Sequence, residues 1–160
     1  MKKTILLLAA FAAANFTVRG ADDIAENIDL VPWNLGVSAT TLLPQNGIRP
    51  AHRTGGAVNL ACYLNDFWSV TGEVACFGDT TGLGAGALWH WWGYERFDPF
   101  FTFGAKGWLT GGIGPSGGVG AFFHLDERWS LFLSADATLD LDGRNGMIYT
   151  VSAGVRLALF

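Results

Sequence analysis

The feature that most constrains this 160-residue chain is an alternation of apolar side chains with polar or small ones. Residues 147–159 show it most clearly. One face of this segment carries Tyr149, Val151, Ala153, Val155, Leu157 and Leu159, and the other face carries Thr150, Ser152, Gly154, Arg156 and Ala158. Successive side chains of a β-strand point to opposite faces, so this period predicts a strand with one apolar and one polar face.

The same alternation recurs in eight segments, each close to the ~9–11 residues that a tilted membrane-spanning strand requires. Glycine is abundant (22 residues) and charged residues are few, which favours strands over helices. The sequence therefore predicts an all-β fold, an eight-stranded antiparallel up-and-down transmembrane β-barrel over residues 33–160. The predicted strands are 33–42, 55–64, 67–77, 83–92, 99–109, 117–125, 129–140 and 147–159.

The N-terminus has the layout of a secretory signal peptide. Lys2 and Lys3 precede the apolar run 5–14, which is too short to span a bilayer as a helix. We assign 1–20 to the signal peptide, with cleavage after Gly20 or after Ala14, and 21–32 to a periplasmic lead-in. Without residues 1–20, seven of the ten basic residues remain beside all fourteen acidic ones, which argues against a nucleic-acid partner.

Tryptophan residues cluster at one end of the predicted strands. Amphipathic aromatic rings settle at the boundary between membrane and water, so this end is predicted to form an aromatic girdle. Its members are Trp33, Trp68, Trp91, Trp92 and Trp129. The opposite end is poorer in aromatic residues and carries Phe77, Trp108 and Tyr149.

The final strand resembles a known targeting signal. Ser152-x-Gly154-x-x-Leu157-x-Leu159, followed by Phe160, is similar to the C-terminal strand of bacterial outer-membrane β-barrels, although the aromatic residue lies one position beyond the family pattern. The resemblance extends over residues 33–160 to small barrels of the OmpA/OmpX-like, porin-like type. It implies insertion into the bacterial cell outer membrane by the barrel assembly machinery, lipids as partners, periplasmic chain ends, a monomer and no cofactor.

Four charged residues are predicted on the inward face near mid-strand: Glu73, Lys106, Asp136 and Arg156. An eight-stranded barrel is just wide enough for side chains to fill it, so these charges should be paired. Asp136 and Arg156 lie on neighbouring strands and could pair directly. The set predicts a neutral network that fills the lumen, or alternatively a gate or narrow conduit. His90 and His124 are expected inward as hydrogen-bonded filler and not as metal ligands.

Other candidate sites have plainer explanations. Residues 112–118 match nucleophile-elbow and dinucleotide strings, but no helix follows, so a hairpin loop is predicted. The segment beginning at Asp140 resembles a calcium loop but has Val151 where glutamate is required. Cys62, predicted opposite Val70, lies six residues or ~20 Å from the Cys76 position, whereas a disulfide needs about 7 Å between Cα atoms. Two free, lipid-facing thiols are therefore expected.

The sequence favours a non-enzymatic outer-membrane protein with a side-chain-filled lumen and a structural or surface-interaction role. The deacylase arrangement of His and Ser two residues apart is absent, because His52, His90 and His124 are followed at that spacing by Thr54, Trp92 and Asp126. A narrow pore for ions or small solutes is the first alternative. A soluble periplasmic ligand-binding barrel is the second, and it requires the opposite arrangement, with apolar side chains inside.

Overall fold

Eight antiparallel strands form one closed sheet, in which every strand pairs with its neighbours along the chain and the first pairs with the last. The computed structural model describes residues 33–43, 53–78, 80–91, 96–109, 112–141 and 146–159. The predicted signal peptide and lead-in lie outside these ranges, as do Trp92 and Phe160. The strands are β1 (Trp33–Leu43), β2 (Arg53–Asn65), β3 (Trp68–Cys76), β4 (Thr81–His90), β5 (Phe97–Trp108), β6 (Ile113–His124), β7 (Trp129–Leu139) and β8 (Met147–Leu159).

The pairing of β1 with β8 closes the barrel. It runs without a shift from Trp33 opposite Leu159 to Leu43 opposite Tyr149. A closed sheet has no strand edge with unpaired backbone groups. The predicted eight-stranded antiparallel barrel is confirmed, and β8 has the predicted bounds. We call the end where β1 begins and β8 ends the terminal rim, and the other end the loop rim.

The outward faces are apolar and the inward faces are largely polar. Val37, Val119 and Leu133 are each more than half exposed on the outside. On the inside, Ser38, Thr150 and Ser152 are buried. This arrangement is the reverse of a water-soluble barrel, whose apolar side chains fill the core. Among the described residues, no helix is long and apolar enough to cross a membrane.

Strand β6 begins earlier than the sequence predicted. The segment 113–116, expected in a hairpin loop, belongs to the strand and pairs with β5, with Pro115 opposite Ala105. Pairing with β7 starts only at Ser116, opposite Thr138. Pro115 therefore lies where β6 has a partner on one side alone, and its missing N–H breaks no ladder hydrogen bond there. The prediction of a hairpin loop was therefore wrong for residues 113–116.

Two turns at the terminal rim use the same side-chain device. Asn65 Oδ1 accepts hydrogen bonds from the backbone N–H groups of Phe67 and Trp68, both at 2.9 Å. Asp126 Oδ1 accepts from the N–H groups of Arg128 and Trp129, at 2.8 and 2.7 Å. These two backbone hydrogen bonds lower the pKa of the exposed Asp126 carboxyl below its usual value. Short polar side chains that bind their own backbone favour tight turns.

The two cysteines are free, as predicted. Cys62 lies opposite Val70, which is also the predicted register. Their surroundings differ, however. Cys76 is exposed, but Cys62 is almost completely buried between its neighbours. The prediction of a lipid-facing thiol was therefore wrong for Cys62, because the bulky side chain of its strand neighbour Trp33 lies on the same outward face.

Inward glycines make room for side chains from neighbouring strands. A Cβ on Gly120 would collide with the Phe100 ring and would lie 2.6 Å from the Leu133 carbonyl oxygen. Gly56 has the outward parity of Val58 on the same strand, and a Cβ there would meet nothing closer than 3.7 Å. Because protein interiors are close-packed, an added methyl group is tolerated only where such space exists.

The substitution Gly120→Ala is expected to destabilise the barrel by about 1–3 kcal/mol, because Phe100 cannot keep its position. Gly56→Ala, an outward-facing control on β2, should change the free energy of unfolding little. Urea-dependent unfolding in detergent micelles, followed by tryptophan fluorescence, measures both variants. Equal stability of the two would contradict this account of the interior.

Candidate functional site: the filled lumen

The lumen is filled in layers. At the loop rim, an apolar cluster of Ala57, Ala75 and Phe77, with Leu42 and Trp108 against it, covers the side formed by β1, β2, β3 and β5. Phe77 and Trp108, whose rings are 5.5 Å apart, were predicted as rim aromatics but belong to this cluster. They face inward because the alternation of their strands continues to the strand ends. The β6–β8 side carries buried hydroxyls instead, including Thr138 and Thr150.

Below this cluster, the ionic side chains surround a cavity of about 90 Å³. A cavity of this size holds a few water molecules, whereas drug-sized ligands occupy roughly 300–1,000 Å³. All four predicted lumen charges line it: Glu73, Lys106, Asp136 and Arg156. Apolar side chains such as Leu88, Phe100 and Phe132 complete the lining, and the space is too small for an organic ligand without rearrangement.

Glu73 and Lys106 form an ion pair across a glycine. Their side-chain atoms Oε1 and Nζ are 2.8 Å apart, and both side chains are mostly buried. Gly84, on the strand between them, lies opposite both residues in the register. A Cβ on Gly84 would lie 3.3 Å from Lys106 Cε. Because Gly84 has no side chain, Glu73 and Lys106 on the two strands that flank β4 can meet across it.

Asp136 also meets its partner across a glycine, and this partner is a hydroxyl. Thr102 Oγ1 donates a hydrogen bond to Asp136 Oδ1 at 2.7 Å, across Gly118 of the intervening strand. The register places Asp136 opposite Thr150 and Arg156 opposite Ser130, six residues along β7. Asp136 and Arg156 are therefore not side by side, and the direct pair that neighbouring strands allowed does not form, because their register offset is ~20 Å.

Arg156 lies deeper, in an aromatic layer towards the terminal rim. Its guanidinium carbon is 3.8 Å from the centre of the Phe122 ring, and Nη1 is 3.5 Å from the Tyr63 hydroxyl. Phe100 stacks on Phe122 with centroids 4.5 Å apart. A cation over an aromatic face is stabilised by the ring quadrupole. This layer forms the floor of the cavity.

The chain of hydrogen bonds beneath that floor was missed by the sequence reading. His90 Nδ1 lies 2.6 Å from Asp98 Oδ2, and His90 Nε2 lies 3.0 Å from Ser69 Oγ. His124 Nε2 lies 3.9 Å from the same Asp98 oxygen, and His124 Nδ1 lies 2.7 Å from Ser130 Oγ. One buried carboxylate therefore stands between two histidines, each of which has a serine on its far side.

Asp98 was missed because the fifth strand was predicted to begin only at Pro99. Strand β5 begins at Phe97, so Asp98 falls in the inward phase and is completely buried. The signal was present in the alternation, since Asp98 shares the parity of Phe100 and Thr102. His90 and His124 face inward and are hydrogen bonded, as the sequence predicted.

No protein-family model matches the sequence, and no curated protein matches it significantly. Solved structures do match. A de novo designed transmembrane β-barrel has a TM-score of 0.63 at 10% identity, covering 82% of this chain and 98% of that one. Neisserial surface protein A gives 0.62 at 14% identity, covering 79% and 97%. Ail, the attachment invasion locus protein of Yersinia pestis, gives 0.53 at 11%, covering 79% and 95%.

The fold is that of a small OmpA/OmpX-like outer-membrane barrel. At identities this low, the likeness establishes the fold, and the role has to be argued from this chain's own residues.

The predicted girdle tryptophans of this small outer-membrane barrel fold that the structure describes lie near the terminal rim. Trp68, Trp91 and Trp129 are exposed there, and Trp33 is half-buried. Trp89, which was not assigned to the girdle, stacks on Phe101 at 5.6 Å and lies 5.6 Å from Trp91. Trp92 falls outside the described residues.

Four of the five predicted targeting positions, Ser152, Gly154, Leu157 and Leu159, lie in the closing strand of the barrel. Ser152 faces inward and shares a hydrogen bond of 2.8 Å with Thr40 of β1. A Cβ on Gly154 would collide with the β1 backbone at Val37 and Ser38. Leu157 and Leu159 face outward, and Phe160 lies beyond the described range. The small and polar positions of the motif therefore serve the seam between β1 and β8, and a targeting role for them stays a prediction.

Within the barrel, Ser69, His90 and Asp98 have the bonding order of a hydrolytic triad. A carboxylate only accepts hydrogen bonds, so a neutral His90 carries its proton on Nδ1 and accepts from the Ser69 hydroxyl at Nε2. All three side chains are fully buried, however, so Ser69 cannot reach a substrate. In the part of the chain that the structure describes, no group of three or more His, Cys, Asp or Glu side chains is arranged to hold a metal ion.

Removing one partner of the ion pair in the barrel should be costly. Lys106→Met leaves Glu73 charged and largely buried, and we expect a loss of about 2–3 kcal/mol in the free energy of unfolding. The double variant Glu73→Gln with Lys106→Met should recover most of that loss, because no unpaired charge remains. Urea unfolding in micelles measures both. A double variant as unstable as the single one would show that the pair is not the cause.

Proposed function

We propose that this protein is inserted in the bacterial outer membrane as a monomeric barrel with a filled lumen, in a structural or surface-interaction role. The observation that supports this proposal is the apolar outer surface, which surrounds the whole barrel at mid-height. Its exposed members at that level include Leu35, Val37, Val58, Leu60, Val74, Phe103, Val119, Leu131, Leu133 and Val155.

A soluble barrel does not fit this surface. Monomeric soluble proteins rarely expose contiguous apolar patches of more than a few hundred Å². Among the described residues, the lumen cavity measures about 90 Å³, well below the roughly 300–1,000 Å³ of a ligand pocket, and four charged side chains line it together with apolar ones. In hydrocarbon, by contrast, a closed sheet satisfies every backbone group internally. The arrangement therefore supports lipid contact.

The orientation follows from the chain ends. In bacterial barrels of this kind the ends and the short turns are periplasmic. The turns 66–67 and 125–128 lie at the terminal rim, together with the start of β1 and the end of β8. We place the terminal rim, with its tryptophans, on the periplasmic side and the loop rim outside. The signal peptide 1–20 and recognition of β8 by the barrel assembly machinery complete this proposal.

A non-enzymatic role is supported by the interior. The one triad-like arrangement among the described residues is sealed from both rims, and Gly114-Pro115-Ser116 lies in a strand and not at a strand-to-helix turn. We propose no cofactor and no nucleic-acid partner. The closed aromatic layer favours a filled lumen over the alternative of a constantly open pore.

Charge placed on the outer surface tests lipid contact. Val37→Arg, at mid-height on β1, should lose about 2–4 kcal/mol of stability in phospholipid vesicles, because its guanidinium would lie in hydrocarbon. Leu43→Arg, the matched control at the loop rim, should lose only about 0–1 kcal/mol. Urea unfolding of the vesicle-inserted protein, with heat-modifiable gel migration as the check on folding, gives both values. Equal losses at the two depths would refute insertion.

A further inference from the structure

The buried side chains near the terminal rim form a closed ring, with one member from each of the strands β2 to β8. We call this ring the polar layer. Tyr63 lies 4.9 Å from the His90 ring and 3.5 Å from Arg156, and Ser130 lies opposite Arg156 in the register. His90 bonds to Ser69 and Asp98, and His124 bonds to Ser130 and lies with its Nε2 3.9 Å from the Asp98 carboxylate, which completes the ring. Its members are Tyr63, Ser69, His90, Asp98, His124, Ser130 and Arg156.

The charges of the polar layer balance only while both histidines are neutral. Asp98 supplies one negative charge and Arg156 one positive charge. Of the other ionic groups of the lumen, Glu73 is engaged with Lys106 and Asp136 with Thr102 above the layer, and Asp140 is buried at the loop rim. With neutral imidazoles the layer is therefore uncharged as a whole, which suits its burial.

Protonation of the histidines changes this balance by two charges. Histidine is the side chain whose charge changes between about pH 5 and 8. While His90 is neutral, the Ser69 hydroxyl donates a hydrogen bond to its Nε2. A protonated His90 carries an N–H at that nitrogen and directs it at the same hydroxyl. Both imidazoles and the Arg156 guanidinium also share one neighbour, the Phe122 ring, at 6.1, 6.1 and 3.8 Å from its centre. Three cations around one ring, with one carboxylate, repel each other strongly in a buried site.

The rest of the lumen offers a polar path to this layer. The apolar cluster at the loop rim covers only the β1, β2, β3 and β5 side. On the β7–β8 side, Thr138, Thr150 and Ser152, with Thr40 of the adjoining β1, line the wall with hydroxyls down towards the cavity. The polar layer and the aromatic floor above it are then the barrier between the cavity and the terminal rim.

We propose that the polar layer is an acid-responsive plug, and that protonation of His90 and His124 opens the lumen to small inorganic anions such as chloride. The inference rests on the proposed membrane-inserted barrel and adds a conductance to it. Once open, the layer carries an excess of positive charge, which attracts anions and repels cations. No bond is made or broken, and the only chemical event is the uptake of two protons.

Planar lipid bilayers containing the full-length protein, bathed in potassium chloride, test the plug. We compare about pH 7.5 with about pH 5, on either side of the range in which histidine changes charge. The open fraction should rise by about tenfold or more, because the ratio of protonated to neutral imidazole changes about tenfold per pH unit. The reversal potential in a salt gradient should report anion selectivity.

Variants separate the plug from other effects of acid. His90→Gln with His124→Gln should stay closed at both pH values, since an amide bonds without titrating. His52→Gln, the matched control at the third histidine of the chain, should keep the acid response. Asp98→Asn should conduct already at neutral pH, because the layer then lacks its one carboxylate. Heat-modifiable migration confirms that each variant is folded.

The outcomes distinguish this inference from the proposed function. A folded, inserted protein that is silent at both pH values, or a rise in conductance that persists in the double variant, overturns the plug and leaves the filled barrel intact. Equal conductance at neutral and acid pH overturns both the plug and the filled lumen. A protein that does not insert at all contradicts the membrane proposal and the plug with it.

Discussion

The structure depends on one constraint, the hydrogen-bonded closure between β1 and β8. Without it, two strands would present unpaired N–H and C=O groups along an apolar surface, where no water can satisfy them. The seam is built from small and polar residues that let the backbones approach, with Gly154 against Val37 and Ser152 bonded to Thr40. The apolar outer face, the polar interior and the alternation that links them are consistent only in a closed sheet.

Closure with eight strands leaves an interior only as wide as its side chains, and glycine determines how that space is divided. Gly84 and Gly118 each stand on a strand between two polar partners, which can then meet across them. Gly120 yields its space to the Phe100 ring. The abundance of glycine in the sequence therefore reflects side-chain pairing inside the barrel, in addition to a general preference for strands.

The strands and their faces could be predicted because alternation is a local property. Each segment carries its own period, so the outward position of Val37 or Leu133 needs no knowledge of its neighbours. Boundaries were harder where a turn-like residue lies inside a strand. Pro115 was assigned to a loop and Asp98 was left outside its strand. A strand tolerates a proline such as Pro115 where it has a partner on one side only, and the local sequence does not show where that is.

The lumen could be predicted in composition but not in pairing. Charged residues at inward positions were visible in the sequence, but which of them meet depends on the register of three or more strands and on the glycines between them. The polar layer shows this most clearly, because Ser69, His90, Asp98, His124 and Ser130 come from five consecutive strands, and the register of four strand pairs brings them together. Asp98 can be recognised as a member of the polar layer only when β5 begins at Phe97 and not at Pro99.

The central claim is that the outward faces contact acyl chains, and site-directed fluorescence tests it most directly. Cys62 and Cys76 are replaced by alanine, and a single cysteine at Leu133 or Val119 is labelled with an environment-sensitive fluorophore. Quenchers attached to the lipid chains near the bilayer centre should quench both labels strongly, while aqueous iodide should not. Strong quenching by iodide together with insensitivity to the lipid-attached quenchers would contradict the account.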